Sequence, residues 1–106
     1  ITAVAAYYPG CYPGLQLSTH PTLLLLGLAD NVVSANDCLK LASQSPQTPL
    51  IVKTYPGAHH NFAIAEFSPP ETVHVLWQEF TSAYDPVSAA DAEKTLLEFL
   101  QENTVK

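Results

Sequence analysis

The run TLLLLGLA, residues 22–29, decides the fold of this chain. Its apolar side chains fill both alternating positions, whereas a strand with one face in water alternates apolar and polar residues. A strand of this composition is covered on both faces, as the central strands of parallel sheets are. The run therefore predicts a buried central strand of a parallel sheet.

Two further strands flank this run along the chain. Residues 1–8, ITAVAAYY, and residues 50–55, LIVKTY, each stop at a Pro-Gly turn signal. Between the second and third strands, Ser34 offers an N-cap with Asp37 at N3, and apolar residues follow at helical spacing, which predicts a helix of about ten residues. Strand, helix and strand in this order predict a right-handed crossover and an α/β fold with about three parallel strands and packed helices.

The C-terminal half is less regular. Pro69-Pro70 interrupts the chain, and residues 71–80, ETVHVLWQEF, fit either a short amphipathic helix or an ordered loop. From Ser88 to Asp91 the capping arrangement recurs and predicts the start of a terminal helix. Its apolar stripe, which should pack on the sheet, consists of Ala89, Ala92, Leu96, Phe99 and Leu100.

Composition narrows the class of protein. With 106 residues, 47% of them hydrophobic, the chain suits one domain with one core. A formal charge of -6 predicts neither nucleic acid nor an anionic membrane as a partner and favours small molecules or proteins. The longest apolar run, residues 23–29, is far shorter than the ~20 residues that cross a bilayer. We therefore expect a cytoplasmic protein, although a chain that starts at Ile1, inside a strand-like run, is expected to lack upstream residues.

The two cysteines, Cys11 and Cys38, are too few for a disulfide framework, and neither belongs to a Cys-x-x-Cys motif for zinc or redox chemistry. Two free thiols are the expectation, with a disulfide between them as the alternative.

An acid and a pair of histidines follow neighbouring strands. Asp30 comes directly after the second strand, and His59 and His60 come after the third. In a parallel sheet the carboxyl ends of the strands share one edge, so these side chains can meet there. An Asp that accepts a hydrogen bond from an imidazole fixes its tautomer and stabilises the imidazolium, as a general base requires. The plainer alternatives are a turn or helix-cap Asp and a solvated histidine loop.

Two other histidines are weaker candidates. His20 precedes the second strand and should lie at the opposite edge of the sheet, and His74 falls in the ambiguous segment. A metal site built from His59, His60 and an acid is a third hypothesis, but it lacks the i, i+4 spacing or third ligand that zinc usually needs. No metal and no cofactor is predicted.

Four stretches together resemble the dienelactone hydrolase family, a branch of the α/β-hydrolase fold. They are AAYYPGC (5–11), PTLLLLGLADNVVSANDC (21–38), VKTYPGAHHNF (52–62) and YDPVSAADAEKTLLEFL (84–100). The resemblance covers nearly the whole chain but only the C-terminal part of the family. It implies that the Asp of GLAD, Asp30, is the triad acid and that His60, rather than His59, is the triad histidine. Ser34 stands where many members have proline.

The nucleophile that the resemblance implies is missing from the chain. Family members carry a Gly-x-Cys-x-Gly or Gly-x-Ser-x-Gly elbow, and no such motif occurs in the 106 residues. Cys11 follows a strand at the correct edge and keeps the order nucleophile, acid, histidine, but Pro13 replaces the required Gly and disfavours the supporting helix. Cys11, Tyr12 and His59 are therefore expected to line the substrate pocket.

Residues 1–106 are thus predicted to be the C-terminal part of an ester or lactone hydrolase domain, inactive alone, whose nucleophile lies upstream. The exposed edge of the first strand should pair with a second copy or with the missing N-terminal half. The competing hypothesis is a non-catalytic binding or interaction module that keeps the fold. An upstream Ser or Cys elbow would favour the enzyme.

Overall fold

The computed structural model describes residues 3–11, 20–46 and 48–103. A parallel sheet in the order β1-β2-β3 forms its centre. The strands are β1 (Val4–Tyr7), β2 (Thr22–Gly27) and β3 (Leu50–Tyr55), with Thr22 opposite both Val4 and Leu50. All six residues of β2 are buried, so the prediction of a central strand covered on both faces is confirmed. The bounds predicted for β3 are also confirmed.

The alternation of side chains along β2 divides the core into two halves. Leu23 and Leu25 point to one face, where the buried residues are Tyr55, Ala58, Phe62, Ala92 and Phe99. Leu24 and Leu26 point to the other face, where the buried residues are Cys11, Cys38 and Leu41. Burying each leucine stabilises the fold by about 1.5–3 kcal/mol. One helix covers each face: α1 (Ala35–Ser43) lies on the second and α2 (Pro86–Asn103) on the first.

The helix α1 begins as its sequence predicts. Ser34 is the N-cap, with extended backbone, and its hydroxyl accepts a hydrogen bond from the backbone N–H of Asp37 at 3.3 Å. That bond satisfies one of the amides that the first turn leaves without a partner. Cys38 and Leu41 form the buried face of the helix.

The expectation of two free thiols is wrong. Cys11 and Cys38 form a disulfide whose Cα atoms are 5.1 Å apart. Cys11 follows β1, and Cys38 is fully buried on α1, so the bond ties the loop after β1 to the helix beneath it. The two positions are 27 residues apart in sequence, and only the packing of α1 on the sheet brings them together. Cys38 is thus a buried residue of the core, and it is buried as one half of a disulfide.

The segment of residues 71–80 is neither a helix nor a loop. It belongs to an antiparallel hairpin of β4 (Glu71–Val75) and β5 (Gln78–Ser82), preceded by a 3₁₀ turn (Ala65–Phe67). The two-residue connection places Leu76 at φ +56°, where glycine or asparagine is usual. Every residue of β4 is exposed, so the alternation of burial that identifies a strand is missing.

The terminal helix α2 starts before the predicted capping residues. Asp85 precedes it and accepts hydrogen bonds at Oδ1 from the amides of Val87 and Ser88, while the Ser88 hydroxyl donates to Oδ2 at 2.8 Å. Pro86 occupies the first helical position, where its fixed φ and missing N–H cost nothing. Ser88 is therefore a buried residue of the first turn and not the N-cap.

Within the described ranges, neither helix combines the length and the apolar character needed to cross a membrane.

Candidate active site

The loops that follow β2 and β3 lie against each other. The amide of Leu28 donates to the carbonyl of Tyr55 at 3.0 Å, and the amide of Ala29 donates to the carbonyl of Ala58 at 2.9 Å. Gly27 makes this approach possible, because a Cβ at that position would stand 2.4 Å from the Ala58 carbonyl oxygen. The glycine of GLAD therefore lets the histidine loop cross over the end of β2.

The turn after β3 directs the two histidines toward the place where the loops after β2 and β3 are in contact. Pro56 and Gly57 occupy the centre of a turn closed by a 3.2 Å hydrogen bond from the amide of Ala58 to the carbonyl of Tyr55. Gly57 has φ +78°, which with Pro at the preceding position is the pattern of a type II turn. The chain reverses within four residues and then carries His59 and His60 along the carboxyl edge of the sheet.

The Asp30 side chain makes three hydrogen bonds and is almost completely shielded from solvent. Its side chain is 2% exposed. Oδ1 accepts from the amides of Val32 and Val33 at 2.8 and 3.0 Å, and Oδ2 lies 2.9 Å from Nδ1 of His60. An ionised carboxylate only accepts, so Nδ1 carries the proton in this contact. Asp30 therefore accepts hydrogen bonds within its own turn, as the alternative of a turn Asp predicted, and it also contacts a histidine.

His60 is restrained on its other sides by aromatic packing. Its side chain is 19% exposed, and the Tyr8 ring lies 4.9 Å away, centroid to centroid. Tyr8 also packs edge-on against the buried Phe62. Burial, and secondarily repulsion from Tyr7 when that phenol is ionised, raises the pKa of the Tyr8 phenol from its ordinary value of 10.0. Tyr8 has φ +37°, an uncommon conformation for a bulky residue that places its ring against the histidine.

The sequence patterns did not point to Tyr8, nor to the residues that join the hairpin to the carboxyl edge of the sheet. The side-chain amide of Asn31 binds the backbone of Glu79 and Thr81, and Asn61 donates to the Ser82 hydroxyl at 3.0 Å. An aromatic residue directly after a strand at the carboxyl edge was an available signal for Tyr8. Asn31 gave no local signal, since its partners are 48 and 50 residues away.

The remaining predicted site residues differ in where they lie relative to Asp30. The histidine in contact with Asp30 is His60, as predicted, and His59 is half-buried beside it. Cys11 is buried on the α1 face and bonded to Cys38, so it has no thiol to act as a nucleophile. Tyr12 lies outside the described residues. Contact of Cys11, Tyr12 or His59 with substrate stays a prediction.

The two weaker histidines lie on other parts of the fold than the loops that carry the pair. His20 precedes β2 and so lies toward the amino edge of the sheet, opposite to Asp30, as predicted. His74, on exposed β4, lies 3.7 Å from Glu79 of the same hairpin. Among residues 3–11, 20–46 and 48–103, no three His, Cys, Asp or Glu side chains come together as metal ligands would.

An open groove of about 590 Å³ lies beside Tyr8, the residue whose ring packs on His60. Its walls come from the end of β1, the segment before α2 and one face of α2. The lining residues include Tyr7, Tyr8, Ala63, Tyr84, Glu93 and Leu96. Tyr8 therefore contacts His60 on one side and the groove on another.

Comparison with known proteins agrees with this architecture. The profile of the dienelactone hydrolase family matches residues 1–104. No curated protein sequence matches the chain. Among solved structures, a “putative dienelactone hydrolase” from Klebsiella pneumoniae superposes with a TM-score of 0.66 at 19% identity, over 94% of this chain. This chain spans 42% of that one, so the likeness concerns the fold of one part of it. With three parallel strands, two helices and a family match over nearly its whole length, the chain belongs to the dienelactone hydrolase family.

Proposed function

We propose that this chain is the C-terminal portion of a carboxylic ester or lactone hydrolase. In this proposal residues 1–106 are part of an α/β-hydrolase domain and supply the acid and the histidine of a Ser/Cys-His-Asp triad. The observation that carries it is the 2.9 Å contact between Asp30 Oδ2 and His60 Nδ1, with the carboxylate almost fully buried. Membership in a family of hydrolases supports it.

In the proposed reaction His60 is the general base. Because Nδ1–H points at Asp30, Nε2 is the nitrogen that accepts the proton of the nucleophile. The Ser oxygen or Cys sulfur then bonds to the acyl carbon, the ester C–O bond breaks, and the proton passes from His60 to the leaving alcohol. A water molecule, deprotonated by His60 in turn, attacks the acyl-enzyme and releases the carboxylic acid and the nucleophile. This chemistry needs neither a metal nor a cofactor.

Asp30 acts on the histidine and not on the substrate. Its two backbone hydrogen bonds, from Val32 and Val33, keep Oδ2 in place before any proton moves. A carboxylate held this way fixes the imidazole tautomer and stabilises the imidazolium that forms during the reaction. The low exposure of the pair strengthens that interaction, since little water competes for it.

The nucleophile is proposed to come from sequence upstream of Ile1. Among the described residues, β1 is an edge strand whose one neighbour is β2, and this supports the proposal. Val4 and Tyr8 donate to Pro21 and Leu25 on the β2 side, so the alternating amides of Ala5 and Tyr7 point away from β2. The groove beside β1 is lined by the same Tyr7 and Tyr8. We propose that an upstream strand, or β1 of a second copy, pairs with this edge.

The compartment is a further part of the proposal. Disulfides persist in oxidising compartments and are rare in the cytosol. The Cys11 to Cys38 bond therefore argues for an oxidising compartment over the cytoplasmic location that the sequence alone predicted. Alkylation of free thiols in native cell extract followed by mass analysis checks this: an intact disulfide leaves both cysteines unmodified.

The test uses the full-length protein that carries this chain. It should hydrolyse a short p-nitrophenyl ester, and His60→Ala should reduce kcat by on the order of 10³-fold or more. His74→Ala is the matched control, because that histidine is exposed on the hairpin and should leave the rate unchanged. Full activity in His60→Ala contradicts the proposal. An upstream sequence without a Ser or Cys elbow, together with no esterase activity, supports the non-catalytic binding module instead.

A further inference from the structure

The hairpin of β4 and β5 is attached to the two loops that carry the acid and the histidine. Among the described residues, the hydrogen bonds that join the hairpin to these two loops are made by residues 79–83, at the end of β5 and just beyond it. The rest of the hairpin extends outward, and its tip residues Leu76 and Trp77 are 84% and 90% exposed. The hairpin therefore meets the sheet at the site of the Asp30 and His60 pair.

The attachment on the acid side is made by one side chain. Asn31, the residue after Asp30, donates from Nδ2 to the carbonyl of Glu79 at 3.1 Å and accepts at Oδ1 from the amide of Thr81 at 2.9 Å. These two backbone groups lie two residues apart on one edge of β5. The carboxamide thus binds β5 with one donor and one acceptor, as the backbone of a neighbouring strand would.

The attachment on the histidine side is made by backbone and by Asn61. His60 pairs with Ser82 in an isolated parallel bridge, and the amide of Ala83 donates to the carbonyl of His60 at 3.2 Å. Asn61 adds a 3.0 Å hydrogen bond to the Ser82 hydroxyl, and its own φ of +62° is one that asparagine tolerates. The backbone of the histidine is thus fixed to the same strand end that Asn31 binds.

A single short segment consequently connects both members of the pair. Asp30 precedes Asn31 in the chain, and His60 is itself bound, so a shift of the end of β5 moves the acid and the base together. Loss of the Asn31 bonds frees the Asp30 turn from the hairpin while the histidine stays attached. The separation of the two side chains then depends on the Asp30 turn and on the two backbone hydrogen bonds from Leu28 and Ala29 to the histidine loop.

We propose that Asn31 is a positioning residue for the acid and histidine pair, and that the hairpin acts as a clamp which sets their separation. This inference rests on the proposed hydrolase function. Asn31 touches neither the substrate nor His60 in this scheme, and its effect passes through Asp30.

The test measures the pair directly as well as the rate, in the full-length protein. A hydrogen-bonded imidazole N–H gives a low-field proton resonance in NMR spectra, which reports the His60 to Asp30 contact without any substrate. Asn31→Ala should broaden or abolish this resonance and lower kcat by about ten- to a hundredfold with KM little changed, as a misplaced catalytic group does. Thr72→Ala is the matched control: it removes the 3.1 Å hydroxyl contact with Thr81 inside the same hairpin but leaves the backbone groups that Asn31 binds in place, and it should change neither readout.

A second variant covers the case in which Asn31→Ala does not fold. Asn31→Asp keeps the size and the acceptor toward Thr81 but sets a carboxylate oxygen against the carbonyl of Glu79, and should also weaken the resonance. A normal resonance and normal kcat in a folded Asn31 variant overturn the inference and leave the proposed function standing. Full activity in His60→Ala overturns the proposed function, whereas the resonance, compared between the unmutated protein and the Asn31 variants, still reports on the clamp.

Discussion

Two histidine and carboxylate pairs in the described part of this chain have different surroundings. His60 and Asp30 lie 2.9 Å apart with side chains 19% and 2% exposed. His74 and Glu79 lie 3.7 Å apart with side chains 66% and 67% exposed. The first pair follows two parallel strands of the central sheet, β2 and β3, of which β2 is fully buried. The second pair stands on a hairpin with one exposed strand.

The difference shows that residue types alone do not make a site. An exposed pair gains little, because water screens the charges and the side chains lose entropy when they are held together. The buried pair is held in advance by backbone amides on Asp30 and by an aromatic ring against His60. Such prior placement is what gives a charged group catalytic value. The predictions below test this contrast.

The largest effect is expected when the acid of each pair is neutralised in turn. In the full-length protein Asp30→Asn should lower kcat for a p-nitrophenyl ester on the order of 10³–10⁴-fold, because the amide no longer selects the productive tautomer. Glu79→Gln, the same change in the exposed pair, should leave kcat unchanged. Equal effects of the two variants would contradict the contrast.

The next largest effect is expected for the disulfide between Cys11 and Cys38, which ties the loop after β1 to α1. The hairpin is not held by such a covalent bond. Removing the 27-residue link with Cys11→Ala and Cys38→Ala should lower the free energy of unfolding by about 3.5 kcal/mol from chain entropy alone. Denaturant unfolding followed by circular dichroism measures it. Reduction of the unmutated protein should reproduce most of the loss. Unchanged stability under both treatments would show that the bond does not brace the fold.

A smaller loss is expected from the close approach at Gly27. Gly27→Ala places a methyl group against the backbone of Ala58 and should cost about 1–3 kcal/mol in the free energy of unfolding. It should also weaken the low-field imidazole resonance of His60, since the clash separates the two loops. Gly57→Ala strains a positive φ but meets no atom within 4 Å, so it serves as the control for backbone strain without a clash.

The smallest effect is expected at a third carboxylate, on α2. Hydrogen bonds from Tyr55 and from Lys53 lower the pKa of Asp91. A lowered folded-state pKa contributes stability above the unfolded value of about 4, and this stability is lost as the pH falls through the folded value. Asp91→Asn should therefore be slightly less stable than the unmutated protein at pH 7, and the gap should close in acid. A gap that widens in acid would contradict the direction of the shift.

Much of the sheet and the central contact followed from sequence patterns. A continuous apolar run marked β2, Pro-Gly marked the end of β3, and the shared edge of parallel strands brought Asp30 to the two histidines. The family resemblance then selected His60 over His59, and His60 is the one in contact with Asp30. Local patterns were enough there because each depends on neighbours in the chain. The start of α2 was misplaced because the prediction took Ser88 to Asp91 as the cap, whereas Asp85 accepts the hydrogen bonds of the first-turn amides.

The hairpin and the disulfide could not be found in the same way. The Leu76-Trp77 connection lacks the Asn-Gly or Asp-Gly signal of a tight turn, and the exposed β4 shows no alternation of burial. Its anchors, Asn31 and His60, lie far away in sequence. The disulfide likewise depends on how α1 packs under the loop after β1. Both features arise from contacts that only the assembled fold creates.

Trp77 has a practical consequence for spectroscopy. It is the chain's one tryptophan, and the residue is 90% exposed to solvent in the native fold. Unfolding hardly alters that surrounding, so tryptophan emission would stay nearly constant while the sheet melts. Tyr7, Tyr8 and Tyr55, which surround Phe62, are the chromophores whose near-ultraviolet signal follows the loss of the native interior.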